Sequence, residues 1–331
     1  MLGVRNMTFK IISNLTKAVL SVSFICFGSA SIAAEKINIA LFKYPSAEAR
    51  VQLVKILLEE KFGLEADTVT GDHATFYAGM HRGKGDIDIH PEVWQPNQSN
   101  FKEEYVDGKG TVVYSEKFVN ATSGFCVPKF FSEEQNVTSV FDLGRPEIAK
   151  QLDTDGDGRG DIWIGKSGWA STNENHVKVR DYGLLAFNDY VKADTAVNVA
   201  SLDNAVKNHK GYAFYCSRPG EVWIQYEIVE LTEPPYDPSC YNLTKAKNNP
   251  TWFEDSKITC TGLPKSIRIG WSKSLEERVP GLTSLLENID IDTKTMNHWS
   301  YEIGTLKRTP YEVVHEWIGA NQETVDSWFG L

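Results

Sequence analysis

Short apolar runs alternate along the chain with segments whose apolar positions recur every three or four residues. The stretch "KINIALF" (36–42) predicts a strand. In the following "PSAEARVQLVKILLEEKFG", Val51, Val54, Leu58 and Phe62 share one helical face, with Ser46 as the expected N-cap and Gly63 as the stop. "EADTVT" predicts a second strand, "HATFYAGMHRG" a helix and "DIDIH" a third strand. This strand–helix–strand–helix–strand order builds a parallel sheet, and such sheets bind ligands beyond the carboxyl ends of their strands. The third strand is expected to end in the Pro-bracketed loop "PEVWQPN", which carries Glu92 and Trp94 two residues apart. An indole in that place either covers a strand end or faces a ligand.

The middle of the chain reads as a second unit. "SGFCVPK" and "GYAFYC" are strand-like, and between them lie "PEIAKQL", the acidic loop "DTDGDGRGD" and "VRDYGLLAFNDYV", the last with helical spacing. After Val222 comes a long polar region, "PPYDPSCYNLTKAKNNPTW", and "TPYEVVHEWIGANQETVDSWF" closes the chain as a helix pair with Thr309 as cap and Pro310 in the first turn.

The N-terminus changes the compartment. Residues 1–33 combine a basic start without acidic residues, the apolar run "AVLSVSFICFG" and the small residues of "SASIAAE", the pattern of a cleaved secretory signal peptide. Without Arg5, Lys10 and Lys17 the balance is 31 basic against 44 acidic residues, a net charge of about −13. Nucleic acid and anionic membranes are poor partners for such a surface. A mature length near 300 residues exceeds what one core organises, so two lobes are expected. Cys126, Cys216, Cys240 and Cys260 remain after cleavage; in an oxidising compartment they predict two disulfides, with three pairings open.

The acidic loop places Asp153, Asp155, Asp157 and Asp161 around Gly158. A hard cation needs about six to eight oxygens on one side of a tight turn, so this spacing marks a candidate structural calcium site, with the Arg159 carbonyl as a further ligand. Position 164, where a calcium loop usually ends in Glu, is Ile. Among the nine Trp, Trp317 and Trp328 fall at helical spacing and read as core, whereas Trp94, Trp169, Trp223 and Trp299 sit in polar or Gly-rich surroundings. Tyr44 follows the first strand directly.

Three stretches carry a resemblance: "GDIDIHPEVWQPN", "RPEIAKQLDTDGDGRGDIWIGKSGWA" and the closing helix pair. Through them nearly the whole mature chain resembles the substrate-binding proteins of glycine betaine/proline-type ABC importers. The resemblance implies an α/β, two-lobed periplasmic binding protein of type II, each lobe a mostly parallel sheet flanked by helices, with two hinge crossovers. Residues 34–118 and 223–331 would form one lobe and 119–222 the other. It implies a monomeric periplasmic protein with an ABC permease and its ATPase as partners, and no chemical cofactor. A methylated ammonium ligand would lie between Trp94 and Trp169, with the backbone amides of Ala170 and Ser171 beside it.

Aromatic faces suit that ligand because a trimethylammonium group has no N–H to donate and offers only diffuse charge and methyl surface. Two positions depart from the family. Its third Trp falls near "FYCSRPGEVW", where this chain has Ser217, so the wall must come from Tyr44, Tyr215, Trp223 or Trp299 or be absent. A His that grips the betaine carboxylate in some relatives is Gln98 here, and Glu92 adds an acidic group nearby. An ionised Glu92 repels a carboxylate ligand and favours trimethylamine N-oxide or choline over glycine betaine. The rival classes are a secreted hydrolase and a ligand-sensing receptor subunit; the sequence contains no Gly-x-Ser-x-Gly, His-Glu-x-x-His or phosphate-loop motif.

Overall fold

The computed structural model describes residues 35–244, 246 and 249–330, so the expected signal peptide lies outside the described residues. The first βαβαβ unit forms as its periodicity dictates. It runs through β1 (Lys36–Leu41), α1 (Pro45–Lys61), β2 (Glu65–Thr70), α2 (His73–Arg82) and β3 (Ile89–Gln95). Asp72 caps α2 by accepting from the Thr75 amide. Two details differ from expectation. The N-cap of α1 is Tyr44 with Pro45 in the first turn, which places Ser46 inside the helix with its hydroxyl free for another partner. Strand β3 runs on through Gln95, so Glu92 and Trp94 lie on a strand and not in a loop.

The chain continues through β4 (Val112–Tyr114), β5 (Val119–Pro128), β6 (Gly160–Gly165), α3 (Ala170–Asp181), β7 (Asn188–Lys192), α4 (Thr195–Lys207), β8 (Ala213–Arg218), the short α5 (Val222–Gln225) and β9 (Ile228–Glu230). The helical spacing over 179–191 misplaced one helix. Gly183, at φ 74°, turns the chain after α3, and Tyr190 and Val191 enter β7, paired with Ile162 and Trp163. A hairpin, β10 (Tyr241–Asn242) and β11 (Lys257–Ile258), follows, then the long β12 (Lys265–Ser272) and the helices α6 (Thr293–Gly304), α7 (Pro310–Ala320) and α8 (Gln322–Trp328). Thr309 caps α7 in a full capping box with Glu312.

The main sheet is ordered β2-β1-β3-β12-β5-β8-β6-β7. Parallel pairs β1/β2, β1/β3, β6/β7 and β6/β8 lie toward its two ends, and the antiparallel strands β5 and β12 join them across the middle. Each half has its own core. Ile37, Ile39 and Ile267 pack with α1, α6 and the indoles Trp299, Trp317 and Trp328, while Phe125, Ile162, Ile164 and Val179 form a second cluster. On the other face of the second half, Cys126, Trp163, Phe214 and Tyr215 pack together.

The disulfides are Cys126–Cys216, which staples β5 to β8, and Cys240–Cys260, which closes the hairpin. Residues 228–261, placed by their sequence position with the first half, pack on the second. There β9 pairs with β5, Leu231 joins the second core, and Arg180 of α3 donates to the carbonyls of Phe253 and Ser256. Among the described residues no helix is long and apolar enough to cross a membrane.

Candidate functional site

The site begins where β3 outruns β1. The two pair only at Ile39 and Ile89, and β3 then continues beside β12 alone. The register slips between Arg268 and Gly270, leaving Pro91 and Glu92 opposite Ile269. A bulge of this kind accommodates a Pro that cannot donate to the ladder, and it explains how a strand passes through the "PEVWQ" that read as a loop. With side chains alternating across the strand, Glu92 and Trp94 share a face.

That face meets the first turn of α1. Glu92 Oε1 accepts from Ser46 Oγ at 2.9 Å and from Trp94 Nε1 at 2.9 Å. The carboxylate therefore sits at the positive end of a 17-residue helix and fixes the orientation of the indole. Glu92 is 1% exposed, and its Oε2 is buried without a hydrogen-bond partner among the described residues. Burial pushes the Glu92 carboxyl up from its ordinary value, opposed first by the Arg50 charge and then by the hydrogen bonds from Trp94 and Ser46. Burial pushes the Tyr44 phenol well above its usual range, and the neighbouring Glu92 adds to that.

Arg50 is a member of this constellation that the sequence reading missed. It is buried, donates through Nε to the Pro91 carbonyl at 2.6 Å, and is pushed down to about 10 by burial, with Glu92 opposing. Its position four residues after Ser46, on the same face of α1, was the available signal. Gln98 lies one turn beyond Trp94 and is buried, its Oε1 taken by the Tyr77 hydroxyl at 2.9 Å.

In the second half, β6 ends at Gly165, and a Cβ there would come within 2.4 Å of Thr172 Oγ1 and 3.5 Å of a Trp169 ring carbon. Glycine thus lets the first turn of α3 and the Trp169 ring close over the strand end. Trp169 is the N-cap of α3, so Ala170 and Ser171 lie in its first turn, where backbone N–H groups lack intrahelical acceptors. Trp169 meets Trp163 edge-on at 6.2 Å, and Trp163 lies 6.3 Å from Tyr215, which is 8% exposed.

The remaining candidates for a third wall separate. The Arg218 guanidinium lies 3.5 Å over the Trp223 ring, whose Nε1 donates to the Ser217 carbonyl, so one face of that indole is already occupied by a cation. Trp299 does not join the others: it is 1% exposed in the first core, edge-on to Trp317 at 5.2 Å. Its polar neighbours in sequence, Asn297 and Ser300, are buried too, which hides the helical face that carries it.

The halves touch beside this constellation. The Gly220 amide donates to Asn297 Oδ1 at 2.9 Å and Thr305 Oγ1 to Gln225 Oε1 at 2.9 Å, joining residues 220–225 to α6 and its end. A Cβ at Gly304 would lie 2.3 Å from Glu221 Oε2 and 2.8 Å from Pro45 Cγ, so the 220–225 segment reaches the start of α1, next to Tyr44.

In the acidic loop, Asp153, Asp155 and Asp161 bring carboxylate oxygens within 4.8 Å of one another. Asp153 accepts from the Gly156 and Gly158 amides, which hold its carboxyl below the usual range. Asp157 is not in that trio; it accepts from the Arg159 amide. The Arg159 side chain turns away to Asp189 at 2.8 Å.

A mixed α/β chain with two parallel half-sheets, joined by antiparallel strands and flanked by helices, has the two-lobed periplasmic binding protein fold. The family model described as the substrate binding domain of ABC-type glycine betaine transport systems, OpuAC, matches residues 35–320, and the chain belongs to that family. Among curated relatives, the glycine betaine-binding periplasmic protein OusX of Dickeya dadantii is 22% identical over 277 residues, 81% of each chain. The glycine betaine/proline betaine-binding periplasmic protein of Escherichia coli is 24% identical over 258 residues, 74% of each. Among solved structures, lactococcal OpuAC, closed on glycine betaine, superposes with a TM-score of 0.66 at 20% identity, covering 89% of this chain and 99% of that one. A choline-binding protein of an ABC transporter in complex with choline gives 0.66 at 15% identity, covering 89% and 91%.

Proposed function

We propose that this protein is a periplasmic, monomeric solute receptor that captures a methylated ammonium osmolyte and delivers it to the permease of an ABC importer driven by its ATPase, without catalysing a reaction. Two lobes would close on the ligand, hinged at the crossovers near residues 119–122 and 262–265. Trp94 and Trp169 would supply the principal aromatic faces, Tyr44 and Tyr215 the remaining wall, and the Ala170 and Ser171 amides polar contacts. The observation that carries this reading is Trp94 held by Glu92 at the start of α1, with a buried Glu92 oxygen left unbonded. That oxygen suits a ligand with a polar group one to three bonds from the cationic nitrogen. Ionised, it would accept from a choline hydroxyl; protonated, it would donate to the oxygen of trimethylamine N-oxide. A ligand that binds only the folded protein raises its melting temperature by mass action. Sub-millimolar choline, trimethylamine N-oxide or glycine betaine is expected to do so, and glycine or proline far less. Stabilisation by sugars or ordinary amino acids, with none by the methylated compounds, would overturn the ligand class.

We also propose that Asp153, Asp155 and Asp161, with the Arg159 carbonyl, hold a structural calcium ion. Three converging carboxylates repel one another until a cation lies among them. Exhaustive chelation is expected to lower the melting temperature and added calcium to restore it, with ligand affinity unchanged; a melting curve indifferent to calcium contradicts the assignment.

A further inference from the structure

Four ionic groups lie buried together in the second half, and the ligand reading uses none of them. Glu174 and Lys178 stand one turn apart on α3, Glu233 follows β9, and Lys265 opens β12. Lys178 Nζ lies 2.8 Å from Glu233 and 3.3 Å from Glu174, Lys265 Nζ lies 3.5 Å from Glu174, and the Tyr182 hydroxyl donates to Glu233 at 2.5 Å. All four side chains are less than a tenth exposed. Burial works against the Lys265 charge, but Glu174 first and Tyr215 next hold it above the usual lysine range.

Replacing a buried ion network with apolar groups of the same volume is often neutral or stabilising, because desolvation offsets the attraction between the charges. The value of this network therefore lies in what it arranges. Lys265 is the first residue of β12 and pairs with Ala121 of β5, so it sits where the two strands joining the halves meet. A Cβ at Gly262, in the segment leading to β12, would lie 2.9 Å from Glu174 Oε1. Glu174 in turn is five residues past Trp169, on the helix whose first turn carries Ala170 and Ser171. One ion pair thus connects the crossover strands to the helix that Trp169 begins.

We infer that Lys265 is a positioning residue for ligand capture: through Glu174 it holds α3, and with it Trp169 and the first-turn amides, at a fixed angle to the crossover strands. The capture part rests on the proposed function, whereas the mechanical part does not. The test compares two neutralised pairs on the same network, Lys265→Met with Glu174→Gln and Lys178→Met with Glu233→Gln. Without ligand, the first pair is expected to speed amide hydrogen exchange in 170–173 and 262–266 by about tenfold or more, and the second pair to leave those segments near wild type. With glycine betaine, choline and trimethylamine N-oxide as probes, the first pair is expected to lose about tenfold in affinity and the second less than about threefold. Lys265→Arg, which keeps the charge, should bind like wild type.

Equal effects of the two pairs on exchange and affinity, or unaltered affinity in the first, would overturn the inference. Should the first pair fail to fold, exchange of the wild-type protein decides. Ligand must then slow 262–266 together with 170–173, and protection confined to 170–173 refutes the coupling. If no probe binds the wild type, the ligand class has failed, and the ligand-free exchange comparison still decides the mechanical link.

Discussion

Trp94→Ala and Trp169→Ala, each made alone, are expected to weaken binding of a methylated ammonium ligand by roughly tenfold to a hundredfold, about 1 to 3 kcal/mol. Each substitution removes an aromatic face and the apolar wall that excludes water behind the cation. The two losses differ in kind. Trp94 is tethered by its Nε1 to Glu92 and packs against the first core, so its replacement also leaves Glu92 Oε1 with one donor fewer. Trp169 stands on the Trp163 edge at the start of α3, so its loss exposes Trp163 without breaking a buried hydrogen bond. Trp94→Phe and Trp169→Phe keep much of the ring quadrupole and are expected to cost less, although the phenyl ring of the first cannot donate to Glu92. Titration calorimetry on the four variants measures this, and wild-type affinity in both Ala variants would mean that the indoles only cover their lobes.

Glu92→Gln is expected to separate ligands by their polar ends. Loss of a charged acceptor costs about 1.5 to 3 kcal/mol where it was bonded, so choline should bind some tenfold or more weakly. Glycine betaine, freed from a like charge, should bind as well or better. The same variant has a signature in stability. Because burial raises the Glu92 carboxyl above its unfolded value, the folded state binds the proton more readily. The wild type is therefore favoured at pH below the ordinary glutamate range and loses ground as pH rises through the raised value. Relative to wild type, Glu92→Gln should gain in melting temperature from acid to neutral pH. A difference that is flat or reversed in pH would show that Glu92 is solvated or offset by Arg50.

The elements that built the fold were largely legible, because α1 and the α7–α8 pair carry helical periodicity and Thr309 marks the start of α7 with a capping box. Trp94 and Trp169 could be singled out because Pro, Gly and polar neighbours set them apart from the periodic indoles Trp317 and Trp328. Trp299 was misjudged on the same criterion, since Asn297 and Ser300 beside it are themselves buried in helix packing. The part of β3 after His90 read as a loop because its two-residue bulge admits Pro91, and a bulge is set by the partner strand more than 170 residues away. The roles of Arg50 and Lys265 depend on partners 41 to 91 residues distant, which no local pattern encodes. The packing of 228–261 on the second half was hidden because its anchors are the β9–β5 ladder, a single apolar side chain, Leu231, and the Arg180 hydrogen bonds to the Phe253 and Ser256 carbonyls.

The central claim, that a methylated cation is held between the two lobes by Trp94 and Trp169, is tested most directly by a crystal structure of the protein grown with choline or trimethylamine N-oxide. The cationic nitrogen is expected within about 6 Å of both ring centroids, with the ligand oxygen in hydrogen-bond reach of Glu92 Oε2. Ligand bound to one lobe alone, or at a place remote from both indoles, would contradict the account.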